Sequence, residues 1–294
     1  MSKSVNSNQI TREYFDSILL ETRYWDSDLP STELELYGER FSTPIMTAAL
    51  SHLDNVCAGG SVKMAREAAE ARAVHWTGMG DESELESILA GGAKTVKIIK
   101  PHRDNEIIFN KIDHAAAHNA LAVGMDIDHC FGAKGDYDVV LGLPMYSKTQ
   151  QELREFVRYS RLPFIVKGVL SARDAEKCVE AGAQGIVVSH HHGIMPCAVP
   201  PLMVLPEILR ATRHEIPVFV DCCIESGMDV FKALALGADA VCVGRHLMQL
   251  LPKEDGAVAG RIREMNRELK SIMARTGAKS LKEIDPAVLH FRSF

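Results

Sequence analysis

The chain is poor in aromatic residues, at 6% of 294, and no apolar run in it approaches the roughly 18–20 residues that a membrane span needs. No Cys-x-x-Cys pair is present. The seven cysteines are odd in number and scattered, at 57, 130, 178, 197, 222, 223 and 242, which excludes a secreted disulfide framework and fits a reducing compartment. There is no excess of basic charge. The net charge of −6 and pI near 6.1 argue against a general nucleic-acid binder, which carries a basic face. The opening residues, Met1 to Gln9, lack the apolar core of a secretory signal, so a cytoplasmic location is expected. No Gly/Ser-rich linker or break in composition divides the chain. The composition is 46% apolar and 24% charged, ordinary for a globular protein and compatible with a sizeable core.

What is present is a rhythm. After a polar lead-in over residues 1–43, short runs rich in Val and Ile recur, each followed by an amphipathic stretch. They cover 44–50, 74–78, 95–99, 120–125, 163–167, 185–189, 217–221 and 240–244. Near-continuous apolar strands indicate burial on both faces, hence a parallel sheet covered by helices. Ser171, with Asp174 three residues later, opens one helix and Gly182 closes it; another runs from Asp229 to Leu236 ahead of Gly237. Eight βα units at this length predict a single (β/α)8 barrel over 44–294, with an open doubly wound sheet as the rival.

Chemistry in such a barrel sits at the C-terminal strand ends. Reading those ends in order gives Ser51 and His52, Thr77, Lys97 and Lys100, then Asp126, Asp128, His129 and Cys130. The later strands give Lys167, then Ser189 with His190, His191 and His192, then Asp221 with Cys222 and Cys223, and last Gly244 and Arg245. Packing seldom places so many ionisable groups at buried ends, because each is costly unpaired. Lys167 reads as a fixed cation that stabilises a developing anion. His191 with Asp126 reads as a base whose tautomer a carboxylate holds. Gly227, just before a helix, together with Gly244 and Arg245, reads as a phosphate seat. His129, His190, His192, Asp128, Cys222 and Cys223 are an alternative donor set for zinc or iron. Trp25, Trp76 and Tyr24 are expected to pack as a lid, and the Met64, Met79, Met265 and Met273 side chains to fill core or pocket.

Three longer stretches carry a resemblance: Leu162-Pro-Phe-Ile-Val-Lys-Gly-Val-Leu170, Ala183-Gln-Gly-Ile-Val-Val-Ser189, and Val230 through Gly244-Arg245. With Leu36–Met46 and Met273–Asp285, they are similar to the FMN-dependent α-hydroxy acid dehydrogenases and oxidases over about residues 32–290. The resemblance implies a TIM barrel, FMN as cofactor, a small-molecule CH–OH donor, and a homo-oligomer, a tetramer or octamer. It puts Lys167 beside flavin N1, makes His191 the catalytic base and Asp126 its orienting carboxylate. It lines the flavin with Thr47, Ala48, Ala49, Thr77, Ser189, Gly193, Asp221, Gly244 and Arg245, with Lys97 replacing a glutamine. The family's Ser-Asn-His-Gly-Gly-Arg reads here Ser189-His-His-His-Gly-Ile194, and its second carboxylate arginine falls at Ala133. Asp-Gly-Gly-Ile-Arg reads Asp221-Cys-Cys-Ile-Glu225. Loss of both guanidiniums removes bidentate carboxylate recognition, so a non-standard substrate is expected. A metal-dependent barrel enzyme and a non-catalytic binding barrel are the competing expectations.

Overall fold

In a computed structural model the chain is described over residues 6–292. Residues 1–5 and 293–294, at the two ends of the expected lead-in and barrel segments, lie outside the described residues.

Each of the eight apolar runs forms a strand. They are β1 (Ile45–Thr47), β2 (His75–Thr77), β3 (Thr95–Ile99), β4 (Ala122–Asp126), β5 (Phe164–Val169), β6 (Ile186–Val188), β7 (Val218–Val220) and β8 (Ala240–Val243). From β2 to β8 each pairs in parallel with the next, and β8 pairs back onto β1, leaving β1 and β2 at the two ends of the sheet. The Thr47 amide donates to Val74 O at 3.1 Å across the β1–β2 seam and closes the barrel.

The helices are α1 (Ser7–Ser17), α2 (Gly60–Glu70), α3 (Glu82–Ala90), α4 (Asn105–Ala117), α5 (Gln150–Tyr159), α6 (Ala172–Ala181), α7 (Pro201–Thr212), α8 (Gly227–Ala235), α9 (Arg245–Met248) and α10 (Ala257–Thr276). The α6 ends follow their expected caps: Ser171 accepts from the Asp174 amide and Gly182 turns left-handed at φ +87°. The α8 helix starts earlier than its apolar stripe, because Ser226 and Asp229 form a reciprocal capping box.

Two apolar layers result. Outward-facing strand residues pack beneath the helices, and a second cluster fills the barrel bore, with Trp76 edge-on to Phe219 at a centroid distance of 5.6 Å. The ribbon Leu34–Leu36/Glu39–Phe41 joins that inner cluster through Leu34, Leu36 and Phe41. A further strand pair, Ile18–Leu20 with Leu289–Phe291, ties the lead-in to the far end of the chain. Trp76 is therefore core, while Trp25 is 95% and Tyr24 63% exposed, so the expected aromatic lid is absent. Met64, Met265 and Met273 are buried, and α10 hides Val258, Ile262, Met265, Leu269 and Met273 while exposing its charged face.

One irregularity shapes the mouth. The β5–β6 register shifts between Lys167 and Val169, and the intervening Gly168 has φ +91°. A Cβ there would lie 2.5 Å from Asp128 Cγ, so only glycine lets the Asp128 carboxylate sit against the wall beside Lys167.

Candidate active site

The mouth is built around a buried ion quartet. Lys167 Nζ lies 3.3 Å from Asp126 Oδ1 and 3.6 Å from Asp221 Oδ2, and Lys100 Nζ lies 2.7 Å from Asp126 Oδ2. Burial alone would raise the Asp126 pKa, but Lys167 and Lys100 outweigh it and hold this carboxyl well below the ordinary range. Burial likewise opposes the Lys167 charge, and Asp126 and Asp221 override it, so Lys167 stays an ammonium. Lys97 is also buried, donates to Gly78 O at 2.6 Å, and is pushed down to about 8 by desolvation and by Lys111.

His191 stands over this quartet in a left-handed backbone conformation, φ +49°, with its amide bonded to Ser189 Oγ at 3.0 Å. Its Nδ1 is 3.0 and 3.1 Å from the two oxygens of Asp128, but 3.9 Å from Asp126. The orienting carboxylate is therefore Asp128 rather than the expected Asp126, because the two lysines have claimed Asp126. With the Nδ1 proton given to Asp128, Nε2 carries the lone pair. His129 meets it there: the two Nε2 atoms are 3.0 Å apart, and His129 Nδ1 is 3.3 Å from Asp138 Oδ2. Burial, Lys100 and His191 together lower the His129 pKa.

A cavity of about 440 Å³ opens between α1 and the ends of β1, β7 and β8, within the range of cofactor sites. Its walls include Ala48, Ala49, Lys167, His191, Gly244 and Arg245. A larger hollow of about 670 Å³ on the far side holds His52, Met79 and Lys111, but neither Lys167 nor His191, and so lacks the paired acid–base groups. The remaining expected residues divide. Asp221 lines the 440 Å³ cavity; Ser189 binds the His191 amide beneath it. Thr47 is spent on His75 Nδ1 (2.9 Å) and the Trp76 amide (2.9 Å), Thr77 is enclosed, and Gly193 packs on α1. Gly227 does not serve the seat: its amide donates to Glu268 Oε2 at 2.5 Å, and a Cβ there would strike α10. The amides of Glu225 and Ser226 are likewise taken, by Asp229 Oδ2 at 3.0 and 3.1 Å. Arg245 is exposed at the rim and makes no ion pair among the described residues.

The proposed metal donors do not gather. Asp128 and His129 fall into one cluster with His191, their donor atoms within 4.8 Å of one another. His190 bonds Thr11 Oγ1 (2.8 Å) and the Gly193 amide (2.9 Å), and His192 is exposed. Cys222 donates to Asp221 at 2.9 Å and Cys223 to the Asn8 carbonyl at 3.5 Å. Burial raises both thiols, Cys223 to about 11, and neither joins a donor cluster among the described residues.

Sequence reasoning missed the part played by α1. Arg12 reaches the β7 loop, 2.7 Å from Asp229 Oδ1 and 3.3 Å from Cys223 O, and with Asn8 and Gln9 forms one wall of the cavity. The only local trace is the Asn6 cap that starts the helix.

A family profile described as FMN-dependent dehydrogenase matches residues 2–154 and 144–291. An L-lactate oxidase of Roseobacter sp. (strain GAI101) is 39% identical over 150 residues, covering 50% of this chain and 40% of that protein. The glycolate oxidase of Spinacia oleracea is 45% identical over 125 residues, covering 42% of this chain and 34% of that protein. Glycolate oxidase 2 of Oryza sativa subsp. indica is 26% identical across 95% of this chain and 85% of its own length. The chain thus spans less than half the length of the first two relatives in its aligned part. A solved mandelate oxidase structure superposes with a TM-score of 0.89 at 25% identity, covering 98% of this chain and 91% of that one.

Proposed function

Because the chain belongs to the FMN-dependent dehydrogenase family, we propose that it is an FMN oxidoreductase acting on a CH–OH donor other than a short 2-hydroxy acid. The single observation that carries this reading is Lys167. It is an ammonium fixed by two buried aspartates at the floor of a cavity walled by Ala48, Ala49 and Gly244. The floor is positive where a reduced ring becomes negative, and the small residues Ala48, Ala49 and Gly244 leave room beside it, so the residues fit the group. Bound FMN would supply the acceptor for two electrons.

The chain's own residues supply the rest. His191 Nε2 takes the donor's proton, and Asp128 keeps that nitrogen basic by holding Nδ1–H. His129 Nε2, 3.0 Å beyond, is the next station for the proton. Arg245 offers the rim cation for a phosphate. Helix α1 supplies one wall of the cavity through Asn8, Gln9 and Arg12. Substrate choice follows from what is missing. Ile194 is 44% exposed and cannot grip a carboxylate, and Ala133 offers no cation. Esters and amides of 2-hydroxy acids, or uncharged secondary alcohols, suit this rim better than the acids.

Native mass spectrometry of untreated protein tests the cofactor: one FMN per chain is expected, and a chain that takes up none even after incubation with FMN overturns the reading. Anaerobic flavin reduction by lactate, glycolate and mandelate against their amides then tests the substrate. Faster reduction by the acids would overturn the second part alone.

A further inference from the structure

Outside the barrel, α3 and α4 bring together three donors that the flavin chemistry does not use. His114 and His118 are four residues apart on α4 and its C-cap, so their rings lie over one another, with centroids 4.4 Å apart. Both point Nε2 at one oxygen of Glu86 on α3, at 3.1 Å from His114 and 3.7 Å from His118. All three donor atoms lie within 4.8 Å of one another. A tetrahedral Zn²⁺ with ligands at about 2.0–2.1 Å separates its donors by roughly 3.3 Å, a value these two distances bracket.

The proton inventory strengthens the case. His118 Nδ1 is 3.0 Å from the His114 carbonyl oxygen, which can only accept, so Nδ1 carries the hydrogen. In the neutral ring, Nε2 then presents a lone pair to the lone pairs of Glu86, a repulsion that either a proton or a bound metal ion relieves. A ligand histidine whose second nitrogen donates to a backbone carbonyl is the arrangement that orients metal-binding imidazoles. Glu86 has no lysine or arginine within ion-pair distance among the described residues, so its charge is answered by these two rings alone. His114 is nearly enclosed, its side chain 13% exposed, while Glu86 at 50% leaves an approach and room for water. The two helices share little other packing, so a cation here would tie them.

We propose that Glu86, His114 and His118 form a binding site for a borderline divalent transition cation, Zn²⁺ above all, that clamps α3 to α4. The site stands apart from the barrel mouth and does not depend on the flavin reading.

The test uses the 294-residue chain with its flavin, stripped with a chelator and dialysed. Titration with ZnCl₂ followed by calorimetry is expected to give one Zn²⁺ per chain, with a rise in Tm that MgCl₂ does not reproduce. Glu86→Gln, which preserves shape, is expected to weaken Zn²⁺ binding at least about tenfold, and His118→Ala further. His129→Asn, in the other His/Asp cluster, is expected to leave the Tm rise unchanged. No Tm response to Zn²⁺, or a response kept by Glu86→Gln and lost in His129→Asn, overturns the proposal.

Discussion

His129 and His191 turn their Nε2 atoms toward each other across 3.0 Å, and each is anchored behind by a carboxylate, Asp138 and Asp128 respectively. With both Nδ1 atoms bonded to those carboxylates, the two Nε2 lone pairs face each other, so a proton taken up at His191 Nε2 has His129 Nε2 as its immediate acceptor. His191→Asn is expected to lower kcat/KM by about 10²–10⁴, the usual worth of a positioned base. His129→Asn should instead keep most of the maximal rate and move the acidic limb of the pH–rate profile. Profiles measured on the fastest donor from the panel above distinguish them; an unmoved limb in His129→Asn would show that the two rings titrate independently.

The lysine–aspartate quartet sets the pH range of stability. Asp126 has a folded pKa below its unfolded value of about 3.9, so its contribution is present above that value and is lost as pH falls through the folded pKa. Lys167 has a raised folded pKa, so its contribution is present below about 10.4 and is lost as pH rises through the folded value. Urea unfolding from pH 2 to 7 is therefore expected to show a steep acid slope that Asp126→Asn flattens. Lys167→Met should cost about 3–5 kcal/mol at neutral pH, because it leaves Asp126 and Asp221 buried with Lys100 alone to answer them.

The barrel is legible in the sequence because each strand is buried on both faces and so appears as an unbroken Val/Ile run, from Thr95–Ile99 to Ala240–Val243. Helix ends are legible where caps are local, as at Ser171 and Gly182. The pairing of carboxylates with cations is not. Asp126 and Asp128 are two residues apart and both reach the mouth. Which one receives His191 is decided by Lys100 arriving from beyond β3 and by the bulge at Gly168. Arg12 is harder still, since its contacts with Cys223 and Asp229 span 211 and 217 residues of chain.

The three residues that follow His190 all have positive φ: His191 at +49°, His192 at +56° and Gly193 at +79°. Only Gly193 is free of the steric cost of that conformation. His192 is exposed and serves through its carbonyl, which accepts from Asn8 Nδ2 at 3.1 Å. Its side chain borders the 440 Å³ cavity and makes no hydrogen bond among the described residues. His192→Gly is expected to stabilise the fold by about 0.5–1 kcal/mol, the left-handed penalty less the extra entropy of glycine. Gly193→Ala should do the reverse, its Cβ meeting Asn8 Nδ2 and Ser7 Cβ at 3.4 Å. Urea midpoints at constant m-value measure both, and a destabilised His192→Gly would locate a role for that ring.

At the end of the cavity proposed for a phosphate, charge is set by two residues. Glu225 borders the cavity and is exposed, Arg245 stands on the same rim, and the amides of residues 225–227 are already engaged by Asp229 and Glu268. An anion at this end therefore meets one guanidinium and one carboxylate, with no free amide from residues 225–227 to add to them. Glu225→Arg exchanges a repulsion for an attraction in a partly solvated place, on the order of 1–2 kcal/mol. FMN should bind about five- to thirtyfold more tightly to the variant at low ionic strength, with the gain shrinking as salt is added. Riboflavin, which has no phosphate, should bind both proteins alike. Quenching of flavin fluorescence yields all the dissociation constants. An equal gain for riboflavin would mean that Glu225 acts through the shape of the loop and not through its charge.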